Sequence, residues 1–292
     1  MKRNRRFLAT AALAAALLAL FAASGFAQGS PWIAEPRTGS ITITYGHQAA
    51  TEFYRADVKG PTPGDGANLS QTTGWLDVNY AITDAIAVDL RSGLGRSHIP
   101  GPVGPTPEES FSGLVDTNVS VTWRVVDELV TQGAPSVAIR AGVIAAGGYE
   151  TGYINSLGDG GNGFEGSVLV GRFGDRFGAS GEVGYRSRSN NIPSDTFINL
   201  AGFFPVNDQI TIAADYRMVN GSDSGLDIGG PGFSPDRFPE LQEDAQLLGG
   251  RVLASVNDTI SVSGFFGQII GGRNTAASRV IGLGVTYSFI TN

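Results

Sequence analysis

The sequence predicts an all-β protein, specifically a transmembrane antiparallel up-and-down β-barrel of about twelve strands. Three observations support this fold class. The chain opens with an export signal, the rest consists of short segments of alternating polarity, and no later window reaches the ~18–20 apolar residues of a spanning helix. Alternation with a period of two is typical of strands. We therefore expect an exported chain that crosses an outer membrane with strands.

The first 27 residues have the organisation of a cleavable signal peptide. They consist of a basic start, an apolar stretch and a small-x-small end at Gly25–Ala27. Cleavage is expected before Gln28. The next residues, 28–38, are predicted to be a periplasmic lead-in, and residues 39–292 to form the barrel.

Composition narrows the function further. Without residues 1–27, which carry four basic and no acidic residues, the chain has 16 basic and 27 acidic residues and a net charge of −11. An acidic exported protein without a basic patch is not expected to bind nucleic acid. The sequence has no cysteine, which excludes disulfides and thiolate metal ligands. Its 42 glycines, about twice the usual share, suit the bends and close strand contacts of a barrel.

Predicted strands and connections alternate regularly. Twelve candidate strands lie at 39–54, 71–82, 86–98, 112–125, 136–147, 163–172, 177–188, 195–204, 209–220, 245–256, 259–271 and 276–289. Short connections lie at 83–85, 173–176, 205–208 and 257–258, and long ones at 55–70, 99–111, 148–162 and 221–244. Connections of intermediate length lie at 126–135, 189–194 and 272–275. Short turns on one side and long loops on the other are typical of outer-membrane barrels, whose termini then both lie in the periplasm.

Most predicted strands have one apolar and one polar face. Along 210–218, the apolar and aromatic side chains occupy even positions, and Thr211, Asp215 and Arg217 occupy odd ones. In a barrel the apolar face contacts lipid, whereas in a soluble sandwich it forms the core. The signal peptide, the unequal loops and aromatic residues near strand ends favour the barrel. These aromatic residues are Tyr80, Trp123, Tyr185, Phe204, Tyr287 and Phe289.

Charged residues on the polar faces are the candidate functional residues, because charges that line a pore set its selectivity. The predicted lumen-lining residues are Asp77, Asp89, Arg91, Asp116, Arg124, Arg140, Glu165, Glu182, Arg186, Arg188, Asp215, Arg217 and Arg251. A mutually paired network that closes a narrow barrel is the alternative, since twelve strands give an intermediate width. Trp75, Phe197 and Phe265 would favour a hydrophobic cargo if they face inward, but their facing stays open. The facing of strands 195–204 and 245–256 also stays open, because they alternate less cleanly.

No catalytic, metal-binding or cofactor-binding residue is predicted. His47 and His98 lie near the outer ends of their strands and are interpreted as isolated rim residues, because no further ligands are spaced for a metal. A membrane hydrolase would need a serine activated by histidine, and neither histidine is followed by a serine two residues on. The loop 221–244 is rich in acidic residues, which leaves Ca²⁺ binding open beside a simple solvated loop.

Four consecutive segments resemble a known family of outer-membrane β-barrels, described as transporters of the meta pathway of phenol or aromatic degradation. They are SGLVDTNVSVTWR (112–124), PSVAIRAGVIAAGG (135–148), GDGGNGFEGSVLVG (158–171) and FGASGEVGYRSR (177–188). The resemblance covers about 112–220 and implies location and architecture better than substrate. The chain departs from such barrels at its end, where Phe289 is followed by three further residues instead of standing last.

The sequence therefore predicts an outer-membrane channel or transporter for small compounds, hydrophobic or aromatic ones among them. Its expected partners are outer-membrane lipid and a small solute. A closed structural or surface-interaction barrel and a soluble secreted β-protein are the alternatives. The cargo and the oligomeric state stay open.

Overall fold

The computed structural model describes residues 29–101, 110–174 and 176–291. The predicted signal peptide at 1–27 lies outside these residues. The strands of the described chain are β1 (Thr38–Ala50), β2 (Glu52–Arg55), β3 (Val58–Pro61), β4 (Leu69–Ala81), β5 (Ile86–His98), β6 (Ser110–Leu114), β7 (Thr117–Val126), β8 (Ser136–Ala145), β9 (Gly163–Phe173), β10 (Gly178–Arg188), β11 (Asp195–Pro205), β12 (Ile210–Gly221), β13 (Asp244–Ser255), β14 (Ile260–Arg273) and β15 (Arg279–Ile290).

All strands except β2 and β3 form one closed antiparallel sheet. β1 pairs with β4 on one side and with the last strand, β15, on the other. β6 and β7 both pair with β5 and together make one stave of the barrel, interrupted at Val115 and Asp116. The barrel therefore has twelve staves, and the predicted fold class is confirmed.

Two local features differ from the predicted strands. The first predicted strand, 39–54, ends at Ala50, because the chain then leaves the barrel to form the β2–β3 hairpin. Phe53 of this hairpin is 3% exposed and forms a bridge with Ala276. The predicted strand 112–125 is interrupted because Asp116 accepts hydrogen bonds from the loop that follows β8.

The outer face of the barrel is apolar and exposed. Ile43, Leu94 and Leu283 each have more than 60% of their surface exposed, whereas Thr42, Asp215 and Arg251 on the opposite face are almost completely buried. This distribution reverses that of a soluble protein, in which large apolar side chains are buried and charges are exposed. It is the distribution of a barrel whose outer face contacts hydrocarbon.

The two ends of the barrel differ. At the short-turn end, the described connections between strands include residues 82–85, 127–135, 206–209 and 256–259. At the long-loop end, the connections include 62–68, 146–162 and 222–243, and the last of these contains a 3₁₀ helix at Pro235–Glu240. Tyr80, Tyr287 and Phe289 stack beside one another at the short-turn end, as expected of an aromatic girdle. No helix of the described residues is long and apolar enough to span a membrane.

Inner-face glycines accommodate large aromatic rings. A Cβ atom added to Gly184 would overlap the ring of Phe197, and one added to Gly282 would overlap the ring of Phe265. Each glycine is the direct cross-strand neighbour of the ring that covers it. The rings therefore lie against the wall of the barrel instead of projecting across it.

Candidate functional site

The interior of the barrel is the candidate functional site, because it contains the buried polar and charged groups. Strand register places twelve of the thirteen predicted residues on the same face as the buried Thr42, Ser120 and Leu169. They are Asp77, Asp89, Arg91, Arg124, Arg140, Glu165, Glu182, Arg186, Arg188, Asp215, Arg217 and Arg251. Asp116 lies instead at the interruption between β6 and β7. There it accepts hydrogen bonds from the backbone of Gly147 and the hydroxyl of Tyr149.

A bidentate ion pair joins β12 and β13. Arg251 donates from Nε and Nη2 to the two oxygens of Asp215, at 2.8 and 2.7 Å. The side chains are only 4% and 1% exposed. Since both charges are withdrawn from water, each one depends on the other for compensation.

Glu182 is the centre of a second network. Its carboxylate accepts hydrogen bonds from Ser167 at 2.7 Å, from Asn199 at 2.8 Å and from the backbone N–H of Gly29 at 3.0 Å. Arg140 lies 3.9 Å from the same carboxylate and 3.3 Å from Glu165. One carboxylate thus connects neighbouring strands of the wall to the segment that precedes the barrel.

Two arginines of β10 form a third network near the long-loop end. Arg186 donates to Asp195 at 2.9 Å, and Arg188 pairs with Asp159 at 2.8 Å. Because Asp159 belongs to the loop that follows β8, this second pair holds the loop over the end of the barrel.

The remaining predicted charges also have partners. Arg91 lies 3.5 Å from Asp77, and its guanidinium group stands 4.2 Å from the centre of the Trp75 ring.

Asn79 donates to Asp89, and Arg124 pairs with Asp127 at the short-turn end. The guanidinium of Arg217 lies 6.0 Å from the ring of Phe197.

Three aromatic side chains of the wall face the lumen. Trp75, Phe197 and Phe265 all lie on the inner face, in register with Thr44, Gly184 and Gly282 respectively. Their rings add apolar surface to a lumen that is otherwise polar.

The segment 29–34 lies inside the short-turn end of the barrel. Pro31 is fully buried, and the indole N–H of Trp32 donates to Glu128 at 2.6 Å. The Trp32 ring packs against Phe173 and Phe203, with ring centres 4.4 and 5.7 Å away. We call residues 29–34 the inner segment, and it narrows the passage at this end.

A cavity of about 340 Å³ occupies the long-loop end. Its walls combine apolar side chains, among them Phe53, Ile192 and Leu241, with the charged network of Arg186, Arg188, Asp159 and Asp195. Glu243, the residue immediately before β13, also lines it. The volume is at the lower end of the range for small-molecule pockets.

Glu243 differs from the other carboxylates of this cavity. It accepts a hydrogen bond from the hydroxyl of Thr275 at 2.9 Å, and it takes part in none of the ion pairs within the described residues. The Glu243 side chain is open to the cavity but is withdrawn from bulk water by the surrounding protein. This desolvation, together with the nearby charge of Asp159, raises the pKa of Glu243 to about 7. Its charge therefore changes near neutral pH.

Other candidate groups remain isolated or paired. His47 forms a hydrogen bond with Thr72, and His98 forms one with Ser110. Both histidines lie at the long-loop end and do not contact each other.

In the acidic loop, Asp227 forms a bidentate pair with Arg273. Where residues are described, no cluster of His, Asp and Glu suitable for a metal ion is present.

Sequence patterns did not single out Trp32, Glu128 or Glu243. The sequence places Trp32 in the predicted lead-in, and its hydrogen bond to Glu128 joins residues 96 positions apart. Glu243 belongs to the acidic loop 221–244, for which the sequence favours a solvated surface loop. Only the absence of a nearby basic residue in the sequence around Glu243 could have drawn attention to it.

Comparisons with known proteins identify the architecture. No family model and no curated protein sequence matches the chain. An outer-membrane channel from Pseudomonas putida F1 superposes with a TM-score of 0.71 at 13% identity, covering 90% of this chain and 99% of that one. The NanC porin superposes with a TM-score of 0.48 at 8% identity, covering 85% of this chain and 98% of that one. The CymD monoaromatic hydrocarbon channel superposes with a TM-score of 0.43 at 10% identity, covering 86% of this chain and 89% of that one.

The likeness to the Pseudomonas channel shows that this chain has the fold of an outer-membrane β-barrel. The resemblance to the transporter family over 112–220 is supported to that extent. Membership of that particular family stays a prediction.

Breaking the buried ion pair should destabilise the barrel. Arg251→Met leaves the Asp215 carboxylate buried without its guanidinium, which should lower the free energy of unfolding by about 3–5 kcal/mol. Denaturant unfolding in detergent micelles, followed by heat-modifiable migration, measures this loss. Arg279→Met, which removes an exposed arginine of β15, is the matched control.

Adding Asp215→Asn to Arg251→Met should restore part of the stability, because it removes the buried charge. A loss below about 1 kcal/mol for Arg251→Met would contradict the role given to the pair.

Proposed function

We propose that the protein is an outer-membrane channel for small compounds, hydrophobic or aromatic ones among them. The observation that carries this proposal is the combination of an apolar exterior with a polar, charged interior that contains a cavity of about 340 Å³. A closed barrel can also have a polar, paired interior, whereas the cavity gives a solute space to enter. The inward rings of Trp75, Phe197 and Phe265 support a cargo with apolar surface.

The solute path would run from the long-loop end, through the cavity, past the paired arginines of β10 and towards the short-turn end. The twelve predicted residues on the inner face would act along it by charge and shape, without a cofactor. Because each of them contacts a charged, polar or aromatic side chain of the wall or the loops, the open path is narrow, and passage depends on how these side chains are arranged. Short turns would face the periplasm, as in other outer-membrane barrels.

The inner segment is the part of the path that we expect to restrict flow. Besides its backbone connection to β1, the inner segment is held within the described residues by two side-chain carboxylates and by ring contacts. Displacing these few contacts would open the short-turn end.

Single-channel recording of the purified protein in planar bilayers tests the proposal. Discrete, stable openings are expected. A correctly folded barrel without openings, even when the inner segment has been displaced, would favour the alternative of a closed structural or surface-interaction barrel.

Displacing the inner segment should raise the conductance. An added side chain at Gly171, on the inner face of β9, would run into the Trp32 ring and Pro31. Gly171→Leu is therefore expected to displace the inner segment and widen the pore, which should increase the mean single-channel conductance roughly several-fold. Gly166→Leu on the same strand faces outward, where an added Cβ atom meets only the backbone oxygen of Arg140 at 3.8 Å, and it should leave the conductance unchanged. Equal conductance of both variants would rule out a restricting role for this segment.

Cation selectivity should depend on pH through Glu243. Its raised pKa of about 7 means that the carboxyl group is neutral below that pH and negative above it. Asp159, Arg186 and Arg188 face the same space, and their charges set the background. The ratio of cation to anion permeability, read from reversal potentials, should rise between about pH 6 and pH 8. Glu243→Gln should flatten this rise, and Glu150→Gln, in the exposed part of a neighbouring loop, should not.

A further inference from the structure

The cavity at the long-loop end has an excess of negative charge. Five charged side chains line it: the arginines 186 and 188, and the carboxylates of Asp159, Asp195 and Glu243. Each arginine is engaged by an aspartate, at 2.9 and 2.8 Å. Glu243, the third carboxylate, takes part in none of the described ion pairs, although Arg186 and Arg188 lie close enough for their charges to act on it. When Glu243 is ionised, the five side chains together carry one net negative charge.

Hydrogen-bonding groups of the cavity are incompletely satisfied within the described chain: the donor Nε of Arg188 has no partner, and two carboxylates can accept further hydrogen bonds. Asp195 is 4% exposed, and no donor in the described chain reaches its Oδ1 atom. Glu243 receives one hydrogen bond, from Thr275, although a carboxylate can accept several. Buried acceptors without partners are costly, and native proteins usually satisfy them with water or a ligand.

Part of the cavity lining is apolar. Phe53, Ile192 and Leu241 are at most 6% exposed and line the same space, together with Phe238 of the 3₁₀ helix. A metal ion or a hydrated inorganic cation would leave these walls in contact with water. An organic molecule would cover them and gain roughly 25 cal/mol for each Å² of apolar surface buried.

We propose that this cavity binds a small organic cation, with its apolar body against Phe53, Ile192 and Phe238 and its ammonium group directed towards Glu243 and Asp195. A primary ammonium group carries three donors and one positive charge, which match the spare acceptor capacity of Glu243 and Asp195 and the net negative charge of the cavity. The assignment deepens the proposed function, since it names a cargo class for the same path.

Three probes of nearly equal shape test the proposal: 2-phenylethylammonium, 2-phenylethanol and 3-phenylpropanoate. Isothermal titration calorimetry of the full chain in detergent micelles, corrected with protein-free micelles, gives each affinity. The cation should bind at least about tenfold more tightly than the neutral and anionic probes, as a charge-assisted hydrogen bond would provide. Equal or tighter binding of the anion, or of the alcohol, would overturn the proposal.

Variants separate charge recognition from apolar contact. Glu243→Gln keeps the shape of the side chain and should weaken binding of the cation about tenfold, while leaving the alcohol unaffected. Glu150→Gln, an exposed glutamate outside the cavity, should change neither. Phe238→Ala should weaken all three probes alike. Unchanged cation affinity in Glu243→Gln, with heat-modifiable migration showing a folded barrel, would remove Glu243 from the site.

The binding assay and bilayer recording fail independently. Binding of the cation by a barrel that never conducts would keep this site and reject the channel. Conductance without preferential binding of the cation would keep the channel and reject this site.

Discussion

Closure of the sheet is the constraint on which the rest of the structure depends. In hydrocarbon, every backbone N–H and C=O group must be paired within the protein, and a sheet meets this requirement only if its first and last strands join. β1 does so by pairing with β15 along twelve residues, from Thr38 to Ala49. Once the sheet is closed by twelve staves, its width is fixed, and inner side chains from different strands come within reach of one another.

That proximity determines how charge is distributed in the lumen. A polar interior is required beside an apolar exterior, but charged groups confined in a narrow barrel are costly unless each finds an opposite charge. The result is a series of pairs, Arg251 with Asp215, Arg186 with Asp195 and Arg188 with Asp159. Fixed charge is thereby nearly cancelled along the wall, so in the proposed channel a carboxylate outside these ion pairs, such as Glu243, would have a large effect on which solutes enter.

Most of the barrel could be predicted from the sequence because one property, the period of two, sets both the strand bounds and the facing of each side chain. Predicted strands such as 86–98 and 163–172 coincide with β5 and β9 within a residue. The features that were missed depend on contacts between distant parts of the chain. Phe53 lies outside the barrel sheet, where it forms a bridge with Ala276. Asp116 interrupts a stave, and its carboxylate accepts a hydrogen bond from the hydroxyl of Tyr149. No local pattern contains such partners.

The same reasoning explains why the candidate site was only half predictable. Alternation could name the charged inner residues, yet it could not pair them, since a pair depends on the register between strands. It also left Phe197 unassigned, which the register with Gly184 decides. The two ends of the lumen then differ for a physical reason: the inner segment fills one with apolar contacts anchored at Glu182 and Glu128, while the loops enclose a partly charged cavity at the other. A solute entering from the long loops would meet recognition first and restriction last. Selectivity would thus be set before the narrowest point is reached, and the inner segment would control the rate of passage more than the choice of solute.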